Sequence, residues 1–219
     1  MLLNVLLVIC AYLLGSIPSA VWIGKKFYGI DVREHGSKNA GATNTLRVLG
    51  RRAAAPVFII DFMKGFCAVK LFHLAAIEPG TNIMFIFKMI LVAAVVAGHI
   101  FPIFAKFKGG KGVATIAGAI LAIYTYPLLC ALGVFGIVFL ATNYVSLGSI
   151  TAAVMFPIFL IFVFKEQSIA SITFGCIATI LLVLTHLKNI KRLLKGTENK
   201  VYPFKGMGDK LVNMFKKKN

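Results

Sequence analysis

The 219-residue chain is 59% apolar, only 14% charged and carries a formal net charge of +17, with a mean hydropathy of +0.88. Soluble domains run about 45–50% apolar and roughly 25% charged, so a water-soluble globule is excluded and an integral membrane protein is expected. The basic residues gather between and after the apolar runs, which reads as the positive-inside signal rather than a nucleic-acid footprint, and no RNA- or DNA-binding motif accompanies them.

The first apolar run, residues 2–23, mimics a signal peptide, with Ser16-Ile17-Pro18-Ser19-Ala20 as a mock cleavage site. It lacks a positive leader, and Lys25 and Lys26 follow it, which predicts an uncleaved first helix with its N-terminus outside. Further runs span residues 53–77, 83–104, 113–124, 128–142, 150–164 and 169–185. The region 113–142 is too long for one upright crossing and short for two, since a spanning helix needs about 20 residues. Charge decides between them. With a tight reversal at Tyr124-Thr125-Tyr126-Pro127, nearly all loop cations fall on one side and Lys165 alone on the other. The expected fold is therefore an all-α bundle of seven transmembrane helices, N-terminus outside and C-terminus cytoplasmic, with two short helices. The whole chain reads as one domain with a basic tail over about residues 199–219.

Cys10, Cys67, Cys130 and Cys176 each sit in an apolar run and far apart, which excludes C-x-x-C spacing and predicts buried, inert thiols. Of the ionisable residues within spans, Lys70 and Lys88 lie near outer ends and read as snorkelling side chains. Asp61 and Lys64, three apart, read as a structural ion pair that can brace the cytoplasmic end.

Four polar clusters fall on the cytoplasmic side of this topology. The first, "GSKNAGATNTLR" over residues 36–47, holds small residues, amides, hydroxyls and two cations, and no acid. It predicts a short helix over residues 45–49, capped by Thr43 or Asn44 and ended by Gly50, with Arg47 one turn beyond Asn44. The second, "GHIFPIFAKFKGGKGVAT" over residues 98–115, offers Gly109, Gly110 and Gly112 for close backbone approach to an anion, with Lys108 and Lys111 beside them. A helix starting directly afterwards presents its N-terminal amides to a phosphate. The Walker A spacing is absent, so nucleotide hydrolysis is disfavoured. The third, "TNYVSLGS" over residues 142–149, spaces Asn143, Ser146 and Ser149 three apart; capping explains it as well as ligand contact does. The fourth, "HLKNIKRLLKGTENK" over residues 186–200, sets His186, Asn189 and Arg192 on one helical face, with Glu198 available to tie the segment to loop cations.

A donor-rich surface with few acids binds phosphates. At a membrane face this points to joining a lipid-tailed reactant to a polar one from water, each acyl CH₂ left in the bilayer being worth about 0.8 kcal/mol. The runs "GSIPSA", "DVREHGSKNAGATNTLRVLG", "GHIFPIFAKFKGGKGVAT", "YVSLGS" and "HLKNIKRLLKGTE", together and in this order, resemble the bacterial acyl-phosphate glycerol-3-phosphate acyltransferase family. The resemblance implies a multi-pass enzyme of the bacterial inner membrane with its active site on the cytoplasmic face. Its activity would be transfer of an acyl group from acyl phosphate to the 1-hydroxyl of glycerol 3-phosphate, giving lysophosphatidic acid and phosphate. It implies catalytic roles for Ser37, Asn44, Arg47, Lys111, His186 and Asn189. Substrate-binding roles fall to Asn39, Thr43, Gly109, Gly110, Gly112 and Ser146, with Lys108 and Ser149 beside them. No metal or cofactor is expected; the partners are the two substrates and membrane lipid, and the enzyme is read as a monomer. Two positions depart from the family pattern: Lys38 where glycine is common, and Asn143 where arginine is common.

Acyl phosphate is already activated, no cysteine falls at the cytoplasmic clusters, and no Ser-His-Asp order or H-x-x-x-x-D signature is present there. Direct attack of the glycerol hydroxyl is therefore expected, with Lys111, Arg47 and loop amides stabilising charge. The proton goes to a substrate phosphate oxygen, or in the competing version to His186. An anion transporter is the alternative class, but no internal repeat supports it and the polar motifs crowd one surface.

Overall fold

The computed structural model describes residues 1–202. The expected basic tail lies, from residue 203 onward, outside the described residues. Among the described residues the chain forms ten α-helices and no strand: α1 (Leu2–Gly15), α2 (Ser19–Tyr28), α3 (Ala42–Leu49), α4 (Arg51–Lys70), α5 (Asn82–Ile100), α6 (Val113–Leu121), α7 (Thr125–Thr142), α8 (Val145–Ile158), α9 (Ile169–Thr185) and α10 (Leu187–Leu194).

The first apolar run divides at Ser16-Ile17-Pro18, where α1 and α2 meet at 41°. Pro18 has no N–H and its ring bars a continuous helix. The polar groups exposed by the break are answered from α4. Lys64 Nζ donates to the Ile17 carbonyl at 2.9 Å, and Ser19 Oγ donates to Asp61 Oδ1 at 2.8 Å. Asp61 and Lys64 form the expected pair at 2.9 Å, both almost wholly buried. In apolar surroundings such a pair persists only because each charge has further partners.

Three helical stretches are long and apolar enough to cross a bilayer: Asn82–Ala105, Thr125–Thr142 and Val145–Val163. Counting the bent pairs α1–α2 and α9–α10 as spans raises the number to five. Helix α4 falls outside that count because it carries Arg51, Arg52, Asp61, Lys64 and Lys70. Helix α6 has nine residues, about 14 Å at 1.5 Å per residue, half the hydrocarbon thickness. The reversal after α6 occupies residues 122–124, earlier than the expected Tyr124–Pro127 turn. Pro127 instead sits in the first turn of α7, where a missing N–H costs nothing. Helix α8 contains Pro157 and widens into a π turn over Phe159–Val163.

The helices touch through glycine. A Cβ at Gly15 of α1 would run into the Val95 carbonyl of α5, and one at Gly98 of α5 into the Tyr12 carbonyl of α1. The same reciprocity joins α4 and α6: Gly65 abuts the Thr115 carbonyl, and Gly118 the Phe62 carbonyl. Lipid gives helices no hydrophobic reason to associate, so close backbone packing across small residues supplies much of the attraction. Behind these crossings lies a core of Ala68, Leu91, Val95, Ala119 and Phe156, while Leu6, Ile9, Ile86, Ile137 and Ile180 face outward. The four cysteines were expected to be buried; all are exposed on the outer surface of the bundle. An apolar thiol needs no protein cover where the solvent is hydrocarbon.

Gly118→Ala forces α4 and α6 apart. It is expected to cost about 1–3 kcal/mol, the range of an overpacked core, read as a lower thermal midpoint of the purified protein in detergent. Gly133 of α7, with open space where its Cβ would lie, is the control. Gly133→Ala is expected to be neutral or to gain about 0.5–1 kcal/mol from helix propensity.

Candidate active site

Helix α3 starts at Ala42 with Gly41 as its N-cap, earlier than the expected start at Thr45, and Gly50 ends it as anticipated. Thr43 and Asn44 therefore lie inside the first turn rather than capping it. The buried Asn44 side chain is a clamp. Its Nδ2 donates to the Val32 carbonyl at 2.7 Å and the His35 carbonyl at 3.1 Å, and its Oδ1 accepts from Ser37 N–H at 2.8 Å. Gly36, at φ +59, passes so close to Asn44 that a Cβ would collide with its Oδ1. Lys38 has φ +58, a left-handed conformation glycine adopts at no cost, which accounts for glycine being common there. Its side chain is exposed.

The second cluster is folded back onto the end of α5. Gly109 N–H bonds to the Ile100 carbonyl and Gly110 N–H to the His99 carbonyl, both at 3.1 Å. A Cβ at Gly109 would strike the His99 carbonyl, and one at Gly110 the His99 ring at Nε2. These two glycines are thus required for contact with α5, and their amides are already engaged. Arg33 binds this loop to the first cluster: it donates to Asp31 at 2.7 and 2.9 Å and to the Ala105 carbonyl at 2.9 Å. The same hydrogen bonds hold the Asp31 carboxyl far below the usual carboxylate range.

Past Gly196, at φ +67, the chain turns so that Glu198 sits among α8 and α10. Glu198 Oε1 accepts from Ser146 Oγ at 3.0 Å and from Asn189 Nδ2 at 2.7 Å, and Oε2 accepts from Arg192 Nε at 2.6 Å. Burial pushes this carboxyl up, but the three donors outweigh it and the group lies below its ordinary value. Lys111 Nζ donates to Asn189 Oδ1. Val201 N–H bonds to the carbonyl of Asn143, which has the left-handed φ of +62 that asparagine tolerates.

These segments enclose one cavity of about 450 Å³. It is lined by Ser37, Asn39, Thr43, Asn44 and Arg47 from the first cluster, and by Lys111 and Gly112 from the second. Ser146 and Ser149 come from the third, His186 and Asn189 from the fourth. Lys108, Gly109 and Gly110, also expected at the site, are not in its lining: the Lys108 side chain is exposed and the two glycines are held against α5. Gly112, at φ +82, caps α6, whose first residues Val113 and Ala114 face the cavity. Sequence reasoning gave no site role to Arg51, His99 or the aromatic wall of Phe58, Phe135 and Phe139, all of which line it, and placed Asp61 there only as a brace. His99 stood in a quoted motif; what marks it is the turn that packs glycine on its ring, visible only in three dimensions.

The electrostatics are cationic. Burial first, and then the charges of Arg192 and Arg47, push the Lys111 ammonium down to about 8 against the pull of Glu198. Arg47 donates to the Asn199 carbonyl at 3.2 Å, while its buried Nε has no partner among the described residues. A buried donor without an acceptor is rare in folded proteins. His186 lies at the α9–α10 junction. Its Nδ1 is 2.8 Å from the Leu182 carbonyl, so that nitrogen carries the hydrogen and Nε2 keeps a lone pair. Burial, then the nearby Lys111 charge, push the ring down to about 4, neutral at pH 7. An apolar crevice of about 80 Å³ between α6, α7, α8 and α9 shares Val113, Phe135 and Ser149 with the polar cavity.

The sequence and fold are matched by known proteins. A family model described as glycerol-3-phosphate acyltransferase matches residues 5–196. A glycerol-3-phosphate acyltransferase of Fusobacterium nucleatum is 43% identical over 193 residues, 88% of this chain and 95% of that protein. One from Endomicrobium trichonymphae is 41% identical over 205 residues, 94% and 99% of the two chains. The crystal structure of PlsY, an integral membrane glycerol 3-phosphate acyltransferase, in its glycerol 3-phosphate form superposes with a TM-score of 0.81 at 35% identity, covering 93% of this chain and 98% of that one. Its lysophosphatidic acid form gives 0.77 at 36% identity, covering 91% and 95%. Matched along nearly its whole length, this chain belongs to the glycerol-3-phosphate acyltransferase family of integral membrane proteins.

Proposed function

We propose that the chain transfers a fatty acyl group from acyl phosphate to the 1-hydroxyl of glycerol 3-phosphate, releasing lysophosphatidic acid and inorganic phosphate, the committing acylation of phospholipid synthesis. The observation that carries this reading is the Nε of Arg47, without a partner among the described residues, in a cavity that also holds Lys111 and the start of α6. Such a group is built for an acceptor supplied by a ligand, and phosphate oxygens suit it. The adjoining apolar crevice suits an acyl chain that keeps its contact with the bilayer.

The donor is read from what the cavity offers. None of the four cysteines is in its lining, and Ser146 and Ser149 are engaged with Glu198 and the Val145 carbonyl. The carboxylate beside Ser146 already accepts from Asn189 and Arg192 and lies below its ordinary pKa, so it is a weak base for that hydroxyl, and Ser149 has only a backbone carbonyl. Acyl phosphate brings its own leaving group. The glycerol oxygen bonds to the acyl carbon as the acyl carbon–phosphate oxygen bond breaks, and the hydroxyl proton passes to a phosphate oxygen. His186, neutral and with its N–H spent on Leu182, offers Nε2 as an acceptor that orients the hydroxyl; a ring with so low a pKa is a poor general base at pH 7. Asn44 acts by shaping the loop that carries Ser37. The topology that fits is seven crossings, α4 and the short α6 included, with the N-terminus outside and the C-terminus and cavity on the cytoplasmic side of the inner membrane. The enzyme is read as a monomer.

The donor assignment is tested with purified protein and glycerol 3-phosphate, offering acyl phosphate against acyl thioesters. Turnover with acyl phosphate alone is expected, and turnover only with thioesters overturns the assignment. Arg47→Ala is expected to lower kcat/KM roughly ten- to hundredfold, the worth of one charged hydrogen bond; an unchanged value removes Arg47 from its role. His186→Gln keeps an acceptor and is expected to retain measurable turnover.

Because Lys111 is depressed to about 8, it sheds its proton as pH rises through that value, and with it the attraction for phosphate. In the wild type kcat/KM is expected to fall above about pH 8. Lys111→Arg, whose guanidinium stays charged, is expected to lose that alkaline limb.

A further inference from the structure

Against the glycine-rich loop that carries Lys111 lies a buried imidazole. His99, at the last turn of α5, is 6% exposed. Its Nδ1 lies 3.1 Å from Thr115 Oγ1 on α6 and 3.6 Å from Asp61 Oδ1 on α4. Its other ring edge, at Nε2, is the surface on which Gly110 rests, so closely that no side chain fits between them. Its own carbonyl accepts the Gly110 N–H at 3.1 Å. One residue therefore touches α4, α6 and the loop, and the residue after Gly110 is Lys111. Asp61 is fixed in turn by Lys64 at 2.9 Å and Ser19 at 2.8 Å, so the ring is braced against the α1–α2 kink. Nothing in the transfer chemistry uses this buried network, yet Asp61 and His99 both border the cavity.

We propose that His99, braced by Asp61 and Thr115, is the positioning residue of the 109–112 loop, fixing where the Lys111 ammonium and the N-terminus of α6 meet a substrate phosphate. The inference rests on reading Lys111 as a phosphate contact. It differs from a general role in stability because its effect travels through one neighbour. A slackened loop moves the Lys111 charge, and a misplacement near 1 Å at such a site is worth orders of magnitude in function. Removal of Lys111 then leaves His99 with little left to position.

The test measures affinity for inorganic phosphate by calorimetry on the detergent-purified full chain. The variants are His99→Ala, His99→Asn, Thr115→Val, Lys111→Ala and the His99→Ala/Lys111→Ala double. His99→Ala is expected to weaken phosphate about tenfold, and His99→Asn, which keeps a donor near the Nδ1 position, to recover to within about threefold. In the Lys111→Ala background the same His99→Ala change is expected to cost less than about twofold, since coupled residues are not additive. Thr115→Val, isosteric and outside the cavity lining, is expected to weaken phosphate by a smaller factor and keeps the test open if His99→Ala does not fold. Wild-type affinity in His99→Ala, an equal loss with and without Lys111, or wild-type affinity in Thr115→Val where His99→Ala does not fold, overturns the proposal. Acyl transfer assayed on the same preparations reports separately on the functional reading. An inactive wild type that still binds phosphate through a coupled His99–Lys111 pair sinks the reading and leaves the positioning role standing.

Discussion

Two buried carboxylates, Asp61 and Glu198, tie together the frame around the cavity through Lys64 and Arg192. Asp61 collects Lys64, Ser19 and the side of His99, which locks α4 to the α1–α2 kink and to the end of α5. Glu198 collects Ser146, Asn189 and Arg192, which locks α8, α10 and the segment after it. Both carboxylates are bound to frame groups, and Glu198 also pulls on the charges of Arg47 and Lys111 in the cavity. Burial above all depresses the Lys111 ammonium to about 8, with Arg192 and Arg47 adding repulsion against the pull of Glu198. A dianionic phosphate relieves that repulsion. Cations with so little water around them suit a ligand that brings negative charge.

Glycine does two jobs in the same frame. In the α1–α5 and α4–α6 crossings it brings backbones together, which is where helix association in lipid finds its energy. At Gly109 and Gly110 it lets the loop lie flat on the last turn of α5. Of the three glycines in this loop, Gly112, capping α6 at positive φ, is the one that lines the cavity. On the proposed reading, the loop meets a phosphate through Lys111 and the first turn of α6, since the Gly109 and Gly110 amides are engaged.

Much of this was legible in the sequence. The α9 span agrees with its hydropathy limits, the α1 break follows from Pro18, and eleven predicted site residues meet in one cavity because clusters at the same ends of adjacent helices converge. What the sequence concealed depends on partners far along the chain. The start of α3 moved because Asn44, a good cap by type, is occupied by the Val32 and His35 carbonyls. The role of Gly110 was hidden because its counterpart, His99, lies eleven residues earlier on another element. The cysteines depart from the burial that an apolar run predicts for a protein in water, because the surroundings of this bundle are hydrocarbon. Lys38 and Asn143, departures by residue type, are backbone matters: both occupy left-handed positions.

The central claim is that one cationic cup holds both phosphate-bearing reactants together, so that transfer needs no acyl-enzyme. Initial rates measured over a grid of acyl phosphate and glycerol 3-phosphate concentrations test it most directly. A shared cup predicts intersecting double-reciprocal lines, the mark of a ternary complex. Parallel lines, the kinetic fingerprint of a covalent intermediate released in two stages, contradict it.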